Sequence, residues 1–201
     1  MKIMKYICSI LCAMALFCSC GGATSTVEGI NGRVTLDGYE GRYVYLKTTD
    51  TNPTLVDSAS VSEGRFTFTL HDEQPKVYTL VLKASDDDQY PITLPVVSEK
   101  GHIKVSMGEL VLTSGTPLND TLQDFLLAVS NFMDKSTSQE KLDLNQIKED
   151  FSKIVEGAVM QNINTPVGSY IYRMYSDRLN DTQKEQIMTR ADESFKEAVK
   201  Y

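Results

Sequence analysis

The sequence predicts an α+β protein in which an antiparallel β-sandwich or open barrel precedes a four-helix region. Two observations carry this prediction: polar and apolar residues alternate over residues 28–115, and apolar residues recur every three or four positions over 116–201. The pattern changes at Ser114–Asp120. Within that stretch Thr116 is placed to cap a helix, and Pro117 suits the first helical turn, where its missing N–H would be unpaired anyway.

The first of these two regions reads as seven or eight short strands. Arg65–Leu70 is the cleanest example, because Phe66, Phe68 and Leu70 fall on one face and threonines on the other. Similar alternation occurs around Val34, Val44, Leu80, Leu94 and Ile103. Glycines that suit tight reversals separate these segments, and no helical crossover fits between them. We therefore expect antiparallel strands rather than a parallel sheet.

The second region reads as four amphipathic helices that pack on one another and on one face of the sheet. The first runs from Pro117 to about Lys135, and the second carries apolar residues from Leu142 to Val159. Thr165-Pro166 repeats the cap and first-turn proline at the start of the third. The fourth is expected to begin at Thr182, with Glu185 completing a capping box, and to continue to Val199.

Length and charge restrict the kind of partner. The chain has 201 residues, a formal net charge of −7 and no tryptophan. An acidic protein without a basic stripe is a poor candidate for binding nucleic acid or anionic lipid by charge. The missing tryptophan weakens a carbohydrate-stacking role, although tyrosines can also stack on sugars.

Residues 1–19 have the pattern of a lipoprotein signal peptide. Lys2 and Lys5 precede an apolar run over Tyr6–Phe17, which is too short for a membrane-spanning helix. The residues before Cys20 resemble a bacterial lipobox, which implies export, diacylglycerol on the Cys20 sulfur, cleavage before it and acylation, for example with palmitate, of the new amino group. An ordinary signal peptide cut elsewhere and an uncleaved anchor are the alternatives.

Lipidation at Cys20 would leave the exported protein without a thiol. Cys8, Cys12 and Cys18 would depart with the signal, so no disulfide or Cys-x-x-Cys would remain. Residues 20–27 would form the lipidated cysteine and a flexible tether. No acidic residue follows Cys20 directly, unlike in many surface-exported lipoproteins. We therefore expect a protein held in the cell envelope, at the outer membrane and facing the periplasm.

No catalytic, cofactor or metal site is predicted. Nucleophile motifs, zinc-protease motifs and phosphate-binding glycine loops are absent from the sequence. His71 and His102 each stand alone at a strand edge, which favours partly exposed structural histidines. The acidic stretch Ser85–Gln89 lacks the ligand spacing of a calcium loop and reads as a solvated turn. Asp57-Ser58 lies within a strand, where adjacent side chains point to opposite faces.

Several short runs, in this order, resemble one family of domains. These are Tyr45-Leu46, Val56–Phe68, Glu99–Ile103, Ser114–Asn119 and Asn164–Gly168. Together they are similar to a domain of unknown function that precedes a thioredoxin-like domain in many Bacteroidetes lipoproteins. The similarity spans about residues 28–179. In the family the following domain is a thiol–disulfide oxidoreductase with a Cys-x-x-Cys, which this sequence lacks, so we expect a stand-alone copy without that activity.

These features favour a non-catalytic envelope lipoprotein that serves as a protein-interaction or scaffold module. A more specific form of this hypothesis is that the protein is an accessory of a separately encoded thioredoxin-like protein. The alternatives are a lipoprotein that binds a glycan or peptide in a cleft between sheet and helices, a pilin-type subunit assembled by strand exchange, and an unrecognised enzyme. The tyrosines at 170, 172 and 175 could serve ligand binding, although core packing with one exposed ring is the commoner outcome.

Overall fold

A computed structural model describes residues 28–138 and 143–200, and the structural statements below concern those residues. The strands are β1 Gly29–Val34, β2 Tyr43–Thr48, β3 Leu55–Ser60, β4 Arg65–Phe68, β5 Val77–Leu82, β6 Ile92–Val97, β7 His102–Met107 and β8 Leu112–Ser114. The helices are α1 Pro117–Thr137, α2 Leu144–Gln161, α3 Pro166–Tyr175, α4 Asp181–Arg190 and α5 Glu193–Ala198, with a 3₁₀ turn at Ser176–Arg178. The predicted order of strands followed by helices is confirmed.

The strands form two four-stranded sheets that are not closed into a barrel, which settles the prediction in favour of a sandwich. Sheet 1 has the order β4-β1-β7-β8, and sheet 2 has the order β3-β2-β5-β6. Their inner faces share one apolar core, because alternate side chains of each strand point between the sheets. The predicted alternation in β4 is confirmed, since Phe66 and Phe68 are both buried.

One strand pair departs from the antiparallel arrangement that we expected. β1 pairs with β7 in parallel, with Gly29 opposite His102 and Val34 opposite Met107. The expectation rested on the need of parallel strands for a helical crossover. Here the connection runs through the strands of sheet 2 and through β4 at the edge of sheet 1, so β7 runs in the same direction as β1 without a helical crossover.

The predicted fourth helix is two helices. The backbone is extended at Ala191, and the side chain of Asp192 then accepts the Phe195 N–H at 2.7 Å to begin α5. The predicted capping box at Thr182 and Glu185 is also wrong, because Asn180 and Gln183 form it. Sequence periodicity missed the break because apolar residues on both sides of it, including Phe195, enter the same core.

The helices build a second apolar cluster that also takes in Val77 and Val97 of sheet 2, as the predicted packing on the sheet requires. Its fully buried helical members are Leu122, Val155, Val159, Val167, Ile171 and Ile187. Leu142, which the sequence assigned to the second helix, lies outside the described residues. Within the described ranges, the helices are all too short or too polar to cross a membrane.

Helix α1 begins with a different cap from the one predicted. The Thr116 hydroxyl accepts no backbone N–H of the helix and instead accepts the side-chain amide of Asn119 at 2.8 Å. Glu99, from the loop after β6, accepts the Leu118 N–H at 2.9 Å and so caps the helix from outside. The carboxylate of Asp120 accepts the N–H of Gly115 at 2.8 Å and holds the preceding turn.

The same helix covers one edge of each sheet. Asn119, which is fully buried, accepts the Val97 N–H and donates to the Val97 carbonyl, both at 2.9 Å. It also accepts the Thr113 hydroxyl at 3.2 Å, and Gln123 accepts the Thr113 N–H at 2.7 Å. Because Val97 ends β6 and Thr113 lies in β8, two side chains of α1 satisfy backbone groups at the edges of both sheets.

Candidate functional site

A cleft of about 760 Å³ lies between sheet 2 and the helices. One wall comes from the end of β2, the following loop, β3 and the start of β5. The opposite wall comes from α3 and α5. This cleft is lined by Thr48, Thr49, Asp50, Val56, Gln74, Pro75, Lys76, Val77, Tyr78, Asn164, Thr165, Pro166, Ser169, Tyr170, Arg173, Ser194, Phe195, Glu197 and Ala198. Its volume falls within the range of small-ligand sites.

Arg173 is the least exposed of the charged side chains that line this cleft. Its side chain is 22% exposed. One terminal nitrogen donates to the Thr49 hydroxyl at 2.7 Å, and the other lies 3.7 Å from a carboxylate oxygen of Asp50, which is itself 66% exposed. The Arg173 Nε is buried and has no hydrogen-bond partner among the described residues. The guanidinium is therefore incompletely paired.

Helix α3 fixes the position of this arginine. The Thr165 hydroxyl accepts the Gly168 N–H at 3.3 Å, and Pro166 occupies the first turn, as the sequence predicts. Val167 and Ile171, both fully buried, lock one face of α3 into the helical core. Arg173 then projects towards the loop after β2, where it meets Thr49.

Tyr170 stands beside Arg173 in the same helix. It is 9% exposed, and burial, followed by the nearby Tyr175, raises its pKa to about 12. It is therefore neutral at physiological pH. A phenol held in its neutral form beside a cation can donate a hydrogen bond to an anion in the cleft without adding a charge.

Across the cleft, Tyr78 forms a second polar group with two neighbours. Its hydroxyl donates to both carboxylate oxygens of Asp72, at 2.9 and 3.0 Å, and Lys76 lies 3.2 Å from the same carboxylate. Burial and then the bond to Asp72 raise the pKa of Tyr78 to about 12. Burial raises the pKa of Asp72, but hydrogen bonds from Tyr78, Lys76 and Ser98 outweigh it, so the net pKa is lowered.

A second surface, which we name the β3 edge, consists of residues Leu55–Ser60. Within the described chain β3 pairs in its sheet with β2 alone, and five of its six residues are exposed. Leu55 and Val56 are 59% and 49% exposed, which is unusual for adjacent apolar residues of a strand. The Asp57 carboxylate accepts the Ser58 N–H at 2.7 Å. This Asp57–Ser58 pair, for which we expected a structural role, therefore lies on the β3 edge.

The two histidines, which we expected to be structural, do not line this cleft. The lipidation residue Cys20 lies outside the described residues. His71 is exposed in a separate depression shared with Asp72 and Glu73. His102 is exposed at the start of β7 and has a partner of its own.

The acidic stretch Ser85–Gln89 uses one carboxylate to organise its own turn. Asp88 accepts the N–H groups of Ala84 and Tyr90, both at 2.9 Å, and these bonds lower its pKa. Asp86 and Asp87 are exposed. Across residues 28–138 and 143–200, no group of three or more His, Cys, Asp or Glu side chains is arranged to hold a metal ion.

The three tyrosines of α3 form no exposed aromatic patch. Tyr172 is 9% exposed and packs edge-on against Phe195. Tyr175 is partly buried and packs edge-on against Phe125 and Phe151. The expected exposed ring is therefore not found, and core packing accounts for all three.

Sequence reasoning did not single out Arg173. The sequence does mark this residue, because Arg173 is the one charged residue among the ten of α3. Met174 follows Tyr170 and Ile171 at helical spacing, yet its side chain is 53% exposed while that of its neighbour Arg173 is 22% exposed. A charge next to the apolar stripe of a short helix was thus the clue to the cleft.

Comparison with known protein families gives a match over the β-sandwich. Residues 29–122 match the family described as "Domain of unknown function (DUF4369)". The matched stretch covers β1 to β8 and the first turns of α1, including Asn119. No curated protein matches the chain.

Proposed function

We propose that this protein, whose residues 29–122 match the DUF4369 family, is a non-catalytic lipoprotein of the cell envelope that docks a partner protein. The family description states no function, so the proposal rests on the surface of the domain. The observation that carries it is the β3 edge, where an edge strand exposes two adjacent apolar residues.

The β3 edge suits the addition of an extended segment from a partner. Strand addition uses main-chain hydrogen bonds for affinity and side-chain contacts for specificity. Leu55 and Val56 would supply the apolar contacts. Tyr43 and Tyr45, which stack with ring centroids 6.3 Å apart on neighbouring β2, add aromatic surface next to the strand. Asp57 occupies the Ser58 N–H in the free protein, which guards the edge against indiscriminate pairing.

The partner that we propose is a separately encoded thioredoxin-like protein. The support is the sequence resemblance of residues 28–179 to a domain that precedes a thioredoxin-like domain in the same chain. Domains that are fused in one protein and separate in another commonly keep their contact. The lipid anchor proposed at Cys20 would hold the pair at the outer membrane, because two or more acyl chains bind a membrane firmly.

The test is recovery of the partner from envelopes with the tagged full chain, in native form and as Leu55→Lys. A charged side chain in the middle of an apolar contact should lower the recovery of a thioredoxin-fold oxidoreductase at least tenfold. Leu110→Lys is the matched control, since Leu110 is 68% exposed in the turn between β7 and β8 and should leave recovery unchanged.

Ser58→Pro is a second variant that acts on the backbone. It removes a donor whose described acceptor is the adjacent Asp57, and proline is tolerated in edge strands. Recovery of the oxidoreductase should fall here too. If the native chain recovers no thioredoxin-fold protein, or if both β3 variants recover as much as the Leu110 control, the proposal is wrong.

A further inference from the structure

We infer that the cleft between sheet 2 and the helices binds a short peptide through a carboxylate group, and that Arg173 is the residue that anchors it. The inference concerns α3 and the loop after β2, and it does not depend on a protein partner at the β3 edge. It is carried by the incomplete pairing of a largely buried guanidinium inside a cleft of ligand size.

The pairing of Arg173 compensates its charge only in part. A cation removed from water requires a close, hydrogen-bonded anion to offset its lost hydration. The one short bond, 2.7 Å, goes to the neutral hydroxyl of Thr49. The Asp50 carboxylate is 3.7 Å away and mostly in water, so it attracts the guanidinium weakly. The buried Nε adds a donor with no partner in the described chain.

A carboxylate is the ligand group that best meets these needs. A guanidinium presents five donors in a planar fork that matches the two oxygens of a carboxylate. Phosphate also fits the fork, but Asp50 and Glu197 line the same cleft and disfavour a doubly charged group. The neutral Tyr170 phenol, which also lines the cleft, adds a donor without adding a second negative charge.

The walls favour a peptide over a sugar. Sugar sites present exposed aromatic faces for stacking, yet Tyr78 and Tyr170 are only 8% and 9% exposed in this cleft. Apolar surface comes instead from Val56, Pro166 and Ala198, and hydroxyl groups come from Thr48 and Ser169. Val56 belongs to β3, so the end of that strand leads into the cleft and an extended chain can lie along it.

The test uses the full chain in detergent and a panel of N-acetylated tripeptides, each as the free acid and as the C-terminal amide. Binding is followed by ¹H–¹⁵N spectra that include the Arg173 Nε–H signal, which burial protects from solvent exchange. We expect at least one free acid to shift this signal on titration and its amide to bind at least tenfold more weakly.

Two substitutions should act in opposite directions. Arg173→Gln should weaken binding of the free acid at least tenfold, while Arg178→Gln, an exposed arginine of the adjacent turn, should have no effect. Asp50→Asn removes the competing carboxylate and should tighten binding severalfold; Asp50 is too exposed for the change to disturb folding. This second variant keeps the test decisive even if Arg173→Gln unfolds the protein.

The inference is overturned if no free acid in the panel shifts the Arg173 signal, if acids and amides bind equally, or if Asp50→Asn fails to tighten binding. A partner protein can still dock at the β3 edge through Leu55 in each of those cases, since Leu55 does not line the cleft, whereas Val56 borders both surfaces. Conversely, failure to recover a thioredoxin-fold protein leaves the peptide titration unaffected. The two proposals thus fail separately.

Discussion

The side-chain amide of Asn119 pairs with both backbone groups of Val97, at 2.9 Å for each bond, as a neighbouring strand would. A helix residue thereby completes the hydrogen bonding at the edge of a sheet. The same oxygen accepts the hydroxyl of Thr113 in the opposite sheet. Asn119 therefore ties β6, β8 and α1 together at a point fully closed to solvent.

Replacing Asn119 with alanine should destabilise the protein strongly. The change leaves the Val97 N–H buried without a partner, and an unpaired buried group costs about 1–3 kcal/mol. The Val97 carbonyl loses one of its two donors but keeps the Glu99 N–H at 2.8 Å. We expect a loss of about 2 kcal/mol in the free energy of unfolding, measured by urea denaturation. Asn131→Ala, at an exposed position of the same helix, should change it by less than about 0.5 kcal/mol. Equal losses for the two variants would contradict the role given to Asn119.

Replacing Tyr78 with phenylalanine should change the response to acid. The hydrogen bond from Tyr78 helps to keep the pKa of Asp72 below 3.8. A depressed carboxylate pKa contributes stability that is present above the unfolded-state pKa and lost as pH falls through the folded-state pKa. The variant should therefore be less stable than the native protein at neutral pH, and the difference should shrink below about pH 4.

The measurement for that prediction is urea denaturation at neutral and acidic pH. Tyr90→Phe is the control, since Tyr90 is 92% exposed, and its curve should follow the native one at every pH. A Tyr78→Phe variant that stays below the native protein by the same amount across the whole pH range would show that Asp72 is not responsible.

Alkaline titration should place the buried Tyr78 and Tyr170 after the exposed tyrosines, and burial also raises the pKa values of Tyr172 and Tyr175. Tyr78 and Tyr170 have pKa values raised to about 12 by burial, so they ionise after exposed tyrosines. A raised pKa contributes stability that is fully present below the unfolded value near 10 and is lost as pH rises through about 12. Tyrosinate absorbance should show a late step that Tyr170→Phe reduces and Tyr90→Phe leaves intact. A single early step in protein that is still folded would contradict this.

Replacing Cys20 with alanine should abolish lipidation. Incorporation of labelled palmitate into the native chain should be lost in the variant, because the sulfur that receives the diacylglycerol is gone. The variant should also leave the membrane fraction or persist with its signal attached. Cys18→Ala is the matched control and should still be labelled. Equal labelling of the two variants would place the lipid elsewhere.

Local sequence patterns predicted the elements well, whereas pairings between distant segments escaped them. The alternation around Phe66 identified β4 because strand periodicity is a local property. The parallel partner of β1 lies about 70 residues away, and nothing in either strand specifies it. The cap of α1 failed for the same reason: Glu99, from a distant loop, replaces the local Thr116.

The candidate cleft was the least predictable feature. Its walls come from the loop after β2 and from α3, so Thr49 and Arg173 meet only through the tertiary fold. Met174 continues the helical spacing of the buried residues of α3, yet it is 53% exposed, whereas the neighbouring Arg173 is 22% exposed. A ligand or peptide cleft between sheet and helices was one of the alternatives, but tyrosines rather than this arginine had suggested it.

The parallel pairing of β1 with β7 also governs the order in which the chain can fold. Hairpins such as β5–β6 join neighbouring segments and can form as soon as both strands are available. Strand β1 has no partner next to it in the chain, since it must wait for residues 65–68 and then for residues 102–107 before it is paired on both sides. The edges of β6 and β8 remain unpaired for longer still, until the chain includes Asn119. A partly synthesised chain thus carries unpaired strand edges, which favour aggregation. The edges of β6 and β8 are covered only once α1 has formed.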